Sequence, residues 1–245
     1  MVLRIGIIGM GVVGKATAYA FSEYGHQILS YDKNIQTIDG TSFADISRLS
    51  DIIFICTPED VVHEVVSKLD HDNCRGVIVI RSTVVPGTTL TLEKQFGRML
   101  VHNPEFLREK FAFKEALEPA IIVIGSLWPD YMKLLNQLYA PFARPMFNMS
   151  STESEILKFW WNARLACNIS FANDMKKICD SVGANVHMIN NIVSQFSLYK
   201  WHPYFVGRFD GKCLPKDLEH LIGFAEANKI DVPMLKAILE VNQGL

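Results

Sequence analysis

Short runs of apolar and β-branched residues alternate with amphipathic stretches over the first 150 residues of the chain. The runs fall at 3–8, 27–31, 51–56, 76–81, 99–102, 120–124 and 145–149, and they are nearly continuous in apolar character. Strands of that kind, separated by segments of helical period, are buried on both faces. The pattern therefore predicts a doubly wound, Rossmann-type α/β domain with a parallel sheet covered by helices on both sides. After residue 149 the β pattern stops. Thr152 with Glu155 three residues later reads as a capping box, opening a helix that continues to about residue 182. Ile156, Phe159, Ala163, Ala166 and Ser170 recur at helical spacing, so one face of this helix is buried. Its length, roughly 45 Å at about 1.5 Å per residue, suits a helix that joins two domains or forms a dimer core. Trp160 and Trp161 point to different faces and read as packing residues. Further helical patterns lie at 185–196, at 215–227 and from Pro233 onward, with an aromatic and glycine-bearing loop at 199–211. The expected organisation is a sheet domain over 1–150 and an all-helical domain over 151–245.

Composition narrows the function classes. At 49% apolar and 20% charged residues, the 245-residue chain has the balance of a globular protein, not of a disordered or fibrous one. A net charge of −2 offers no electrostatic reason to expect nucleic acid or an anionic membrane as partner. No apolar run approaches the roughly 18 residues that span a bilayer, and the N-terminus runs straight into a strand without the regions of a signal peptide. Cys56, Cys74, Cys167, Cys179 and Cys213 are odd in number and never paired as C-x-x-C, so neither a disulfide framework nor a metal site is expected. A cytoplasmic location follows as the expectation.

The first strand runs into Gly9-Met10-Gly11-Val12-Val13-Gly14, which opens a helix. The first glycine permits the tight turn, the second lets the backbone approach a pyrophosphate, and the third lets the helix pack on the strand. The second strand ends in Asp32, at the distance where an acidic residue accepts from the adenosine ribose hydroxyls. Asp32 would repel a 2′-phosphate and so favours NAD over NADP, a preference that Lys33 weakens. Thr57 follows the third strand, and Ser82 and Thr83 follow the fourth, both at carboxyl ends where open α/β sheets bind ligands. These residues suit the nicotinamide side of a cofactor or a water; ordinary turn chemistry explains them equally well.

Three clusters carry further chemistry. Glu105 and Glu109, in Asn103-Pro104-Glu105-Phe106-Leu107-Arg108-Glu109, place two carboxylates after the fifth strand. Lys158 and Asn162 lie one turn apart on one face of the long helix, where they can polarise an oxygen together or simply be a solvated surface. Gly211-Lys212-Cys213-Leu214-Pro215-Lys216-Asp217 sets a thiol beside cations and a helix start, which favours the thiolate; the alternative is a small buried apolar residue.

In order and content these motifs resemble the UDP-glucose/GDP-mannose dehydrogenase family over nearly the whole chain. The resemblance implies oxidation of the C6 alcohol of a UDP- or GDP-linked sugar to a carboxylate with two molecules of NAD. A homodimer through the helix over 155–182 is the expectation from its length and its Phe159, Leu165 and Ile169 content; the alternative is that these residues only pack against the sheet domain. It maps the nucleophile onto Cys213, its neighbouring Asp and Lys onto Asp217 and Lys216, the helix pair onto Lys158 and Asn162, the strand-end Thr onto Thr83, and the two glutamates onto Glu105 and Glu109. Glu105 is then the general base for thioester hydrolysis, Glu109 a contact to the nicotinamide ribose, and Phe106, Leu107, Arg208 and Lys216 line the substrate. Two departures stand out. Arg208 and Asp210 replace family glycines before the cysteine, and Leu245 falls inside the helix that in the family leads to a third, closing domain. Two other readings remain: a single-hydride dehydrogenase of a smaller alcohol or hydroxy acid, which has no use for Cys213, and a non-catalytic NAD-binding subunit.

Overall fold

A computed structural model describes residues 2–35, 41–195, 207–209 and 213–244. Among them, strands β1 (Arg4–Ile8), β2 (Gln27–Tyr31), β3 (Ile52–Ile55), β4 (Val77–Ile80), β5 (Leu100–His102), β6 (Ile122–Gly125) and β7 (Met146–Met149) form one sheet in the order β2-β1-β3-β4-β5-β6-β7. The helices between them are α1 (Val12–Glu23), α2 (Phe43–Leu49), α3 (Glu59–His71), α4 (Thr88–Phe96), α5 (Ala112–Leu117) and α6 (Pro129–Tyr139). The second half follows as α7 (Ser151–Ser181), α8 (Val186–Val193), α9 (Leu214–Ala227) and α10 (Pro233–Gln243). The backbone folds into two compact units, Met1–Lys158 and Phe159–Leu245.

Alternate residues of the sheet strands feed two cores, one on each face. Ile52 and Phe54 pack with α1, α5 and α6 residues such as Phe21, Ala116 and Leu138, whereas Ile53 and Ile55 pack with Phe43, Val66 and Leu92 of α2, α3 and α4. Side chains alternate faces along a strand, so a continuous apolar run is what a twice-covered strand requires. The order β2-β1-β3 reverses direction at β1, which opens a crevice at the carboxyl ends of β1 and β3. The sheet is not parallel throughout as expected: β6 runs antiparallel to β5, with His102 opposite Gly125, while β6 and β7 are parallel to each other. A strand buried on both faces has the same apolar pattern in either direction, so the sequence carries no sign of the reversal.

The capping box of α7 also differs. Ser150 and Glu153 make it: Ser150 N and Oγ donate to Glu153 Oε2 at 2.8 and 2.6 Å, and Glu153 N donates to Ser150 Oγ at 3.3 Å. Glu155 is instead fully buried in the first unit. The second unit has its own core of Ala166, Phe209, Leu218 and Ile238. Of the expected loop at 199–211 only residues 207–209 are described; Asp210, Gly211 and Lys212, like Phe196 at the end of the helical pattern expected at 185–196, lie outside the described residues. No helix among the described residues is long and apolar enough to cross a membrane.

Candidate functional site

The turn between β1 and α1 is built as its glycines require. Gly9 has φ +95°, and a Cβ there would lie 2.7 Å from Cys56 O. A Cβ on Gly14 would fall 1.8 Å from Gly9 O. Gly11 differs, since a Cβ on it would meet no atom within 4 Å among the described residues beyond its chain neighbours. Packing therefore does not demand the second glycine, whereas a ligand approaching the backbone does. The N-cap Gly11 has no side chain to cap α1 and no acidic residue stands in the helix's first turn, so the N–H groups behind Gly11, Val12 and Val13 suit a pyrophosphate. Asp32 Oδ2 accepts from Met10 N at 2.7 Å, and its Oδ1 accepts from Asn34 N at 2.8 Å and Ile35 N at 3.0 Å. Partial desolvation pulls the Asp32 pKa up, but these donors and Lys15 outweigh it and hold the carboxyl below its usual value. With about four lone-pair directions on a carboxylate, three donors leave room for a ribose hydroxyl. Lys33 is exposed beside it. The open helix end, the unneeded glycine and the ionised acid together fit NAD.

At the next strand ends, Ser82 Oγ donates to Thr57 O at 2.6 Å and lies 3.2 Å from Ile55 O, so this hydroxyl ties β4 to β3. Thr57 Oγ1 is buried and has no hydrogen-bond partner among the described residues, an orphan polar atom at the rim of the crevice. Thr83 is half-buried in the same turn. Cys56 ends β3, and burial, only partly offset by Arg81, pushes its thiol up to about 12, which excludes it as a nucleophile.

Glu105 and Lys158 meet. Lys158 Nζ donates to Glu105 O at 2.7 Å and lies 3.3 Å from Glu105 Oε1, while Glu105 Oε2 accepts from Leu107 N at 2.6 Å. The ammonium also sits 5.5 Å from the centre of the Phe106 ring. Leu107 packs its side chain against the core, and Glu109 is exposed in a short 3-10 turn. Sequence reasoning passed over His102. It is fully buried, with Nδ1 2.8 Å from Ser154 Oγ, and burial drives its pKa down to about 3, so the ring is neutral.

In the second unit Asn162 Nδ2 donates to Asp217 Oδ2 at 2.6 Å. Lys158 and Asn162 are 6% and 7% exposed, which rules out a solvated surface for the pair. Asp217 Oδ1 lies 3.3 Å from Lys216 Nζ in an ion pair without hydrogen-bond alignment. Cys213 is exposed and occupies the N-cap of α9, where its carbonyl accepts from Asp217 N at 2.8 Å and its own side chain makes no capping hydrogen bond. Arg208, also exposed, stands between two clamps that the sequence did not advertise. Asn173 Nδ2 donates to Gly207 O at 2.9 Å and its Oδ1 accepts from Gly207 N at 2.5 Å. Asn242 does the same for Phe209, at 3.2 and 2.8 Å. Only the burial of both amides, invisible in a polar residue type, marks them.

A doubly wound sheet with an open dinucleotide turn and an ionised acid at the end of β2, followed by a helical unit bearing polar buried side chains, defines an NAD-binding protein of Rossmann type. The chain belongs to the UDP-glucose/GDP-mannose dehydrogenase family: the NAD-binding domain of that family matches residues 40–143 and its central domain residues 152–244. A GDP-mannose 6-dehydrogenase of Pseudomonas syringae is 29% identical over 98% of this chain and 68% of its own length. A UDP-glucose 6-dehydrogenase of Bacillus subtilis is 30% identical over 98% of this chain and 63% of its own. The solved structure of a UDP-glucose dehydrogenase from Pyrobaculum islandicum, 25% identical, superposes with a TM-score of 0.92 over 99% of this chain and 68% of that one.

Proposed function

We propose that this chain oxidises the C6 alcohol of a UDP- or GDP-linked sugar to the carboxylate through a thioester on Cys213. The observation that carries the reading is the placement of Cys213, exposed at the start of α9 and bonded through its backbone to the same Asp217 that holds Asn162. A helix N-terminus favours negative charge, the form in which a thiol attacks carbon. NAD, when bound, accepts the hydride in each of two oxidations.

In this reading the chain's own residues do the following. Lys158 and Asn162 offer N–H donors to the oxygen that becomes negative, first as alkoxide and then in the tetrahedral adduct. Cys213 Sγ forms a bond to the aldehyde carbon, and the carbonyl oxygen takes up a proton. Loss of the second hydride and of that proton leaves a thioester. Glu105 then takes a proton from water, held by Thr83, whose oxygen attacks the acyl carbon; the C–S bond breaks and Cys213 is restored. The balance is one alcohol, two NAD and one water to one carboxylate, two NADH and three protons. Asp217 orients Asn162, Glu109 reaches toward the nicotinamide ribose, and Phe106, Leu107, Arg208 and Lys216 meet the sugar nucleotide. The exposed side chains of Ile156, Trp160, Phe171 and Ile178 form one stripe along α7, which supports a homodimer through this helix. The stripe replaces Phe159, Leu165 and Ile169 as the contact: Phe159 is buried and Ile169 packs in the second core. Trp160, 68% exposed, belongs to that stripe and is not an internal packing residue.

The test is to supply NAD with UDP- and GDP-sugars and count NADH against acid formed. Two NADH per carboxylate supports the proposal; NADH from a non-nucleotide alcohol alone overturns it.

A further inference from the structure

Glu155 is a buried carboxylate that none of the steps above uses. It is 0% exposed. Its Oε2 accepts from Gly87 N at 2.6 Å, and its Oε1 accepts from Thr89 N at 2.8 Å and Thr89 Oγ1 at 2.5 Å. These donors open α4, whose N-cap residue is Gly87 at φ +94° and has no side chain with which to cap the helix. A glutamate from another helix therefore supplies the cap.

Burial raises the Glu155 pKa in spite of these donors and with Glu93 nearby. A well-packed apolar side chain can serve stability as well as such a group. What the carboxylate adds is geometry: bonds to two residues fix both the rotation and the depth of α7 at this point. The neighbouring residue confirms how tightly the helix is set. Ser154 Oγ lies 2.8 Å from His102 Nδ1, and a Cβ on Gly125 would come within 2.4 Å of Ser154 Cβ. Lys158 is the next turn of the same helix, and its Nζ meets Glu105 O at 2.7 Å.

We propose that Glu155 is a positioning residue, which pins the first turns of α7 to the start of α4 so that Lys158 Nζ is held on Glu105. The kinetic part of this rests on the role given to Lys158 above; the structural part does not. A shift of about 1 Å in a catalytic group costs as much as 100-fold in rate.

Crystal structures and kinetics of Glu155→Gln test it, with Thr89→Val as the milder variant should the first fail to fold. The expected result is a Lys158 Nζ to Glu105 O separation beyond hydrogen-bond range, a kcat lowered by about 10- to 100-fold with little change in KM, and no further loss when Glu155→Gln is added to Lys158→Met. Thr89→Val should lower kcat in the same sense, and Thr89→Ser, which keeps the hydroxyl, should restore it. An unmoved Lys158 in either variant, or a loss that adds in full to that of Lys158→Met, overturns the proposal. If the wild-type chain reduces no NAD with any nucleotide sugar, the proposed function falls, and the Lys158 to Glu105 distance in the variants still decides the role of Glu155.

Discussion

Asn162 and Asp217 are joined by a 2.6 Å hydrogen bond between two side chains that are both more than nine-tenths buried. The same aspartate donates its backbone N–H to Cys213 O at 2.8 Å. One residue thus links the amide proposed to stabilise the oxyanion with the backbone of the proposed nucleophile. Asp217→Ala removes the acceptor that fixes the amide. It should lower kcat by about 10²- to 10³-fold, the range for loss of an oriented oxyanion donor, and cost about 1–3 kcal/mol of stability. Steady-state kinetics and thermal unfolding with NAD present check both, and NAD affinity should not change.

Gly11 and Gly14 separate ligand binding from folding. Gly14→Ala would drive a Cβ to 1.8 Å from Gly9 O and should prevent a native turn. Gly11→Ala meets no atom within 4 Å among the described residues beyond its chain neighbours, so the variant should unfold at the wild-type temperature. Its stabilisation by NAD should be lost, because a ligand that binds only the folded state raises apparent stability according to its affinity. Thermal shift with and without NAD reads both outcomes; a Gly11→Ala chain that keeps the full NAD shift would remove the turn from the cofactor site.

The acid limb of stability should depend on His102. Its pKa of about 3 in the fold against an ordinary 6.5 means that the unfolded chain takes up the proton first as pH falls. The contribution is complete above pH 6.5 and is lost as pH drops from about 6.5 toward 3, with a slope approaching 1.4 kcal/mol per unit (about one proton). Glu155, whose pKa is raised above the usual 4.5, acts in the opposite sense as pH falls toward 4.5. His102→Gln should therefore flatten the loss between pH 6 and pH 4 (roughly the middle of the window), measured by denaturant unfolding across that range.

Much of this architecture was legible in the residues. All seven apolar runs became strands; the inner ones are buried on both faces, as their apolar runs require, whereas β7 at the sheet edge is largely exposed. The glycine turn and Asp32 were legible because steric and ionic demands there admit few residue types. What escaped depended on tertiary partners. Glu155 reads as half of a capping box until α4 is brought beside it, and Ser150 with Glu153 offers the same spacing three residues apart. Ser82 reads as a cofactor contact in the sequence, which does not foretell that its hydroxyl donates to Thr57 O. Asn173 and Asn242 look like surface amides in the sequence, and only the backbone of Gly207 and Phe209 gives them their purpose.

The proposed homodimer rests on the exposed stripe on α7. Trp160→Glu together with Phe171→Glu should convert a dimer to monomers in sedimentation equilibrium while leaving the fold intact, since both side chains face outward. A wild-type chain that sediments as a monomer would contradict the assignment of that face.

The central claim is that Cys213 carries the sugar as a thioester, and the most direct measurement is NADH and acid production by Cys213→Ser beside the wild type, with the best UDP- or GDP-sugar as substrate. The wild type should release two NADH for each carboxylate, whereas the variant should bind NAD normally and form no acid. Acid production undiminished by the substitution would contradict the account.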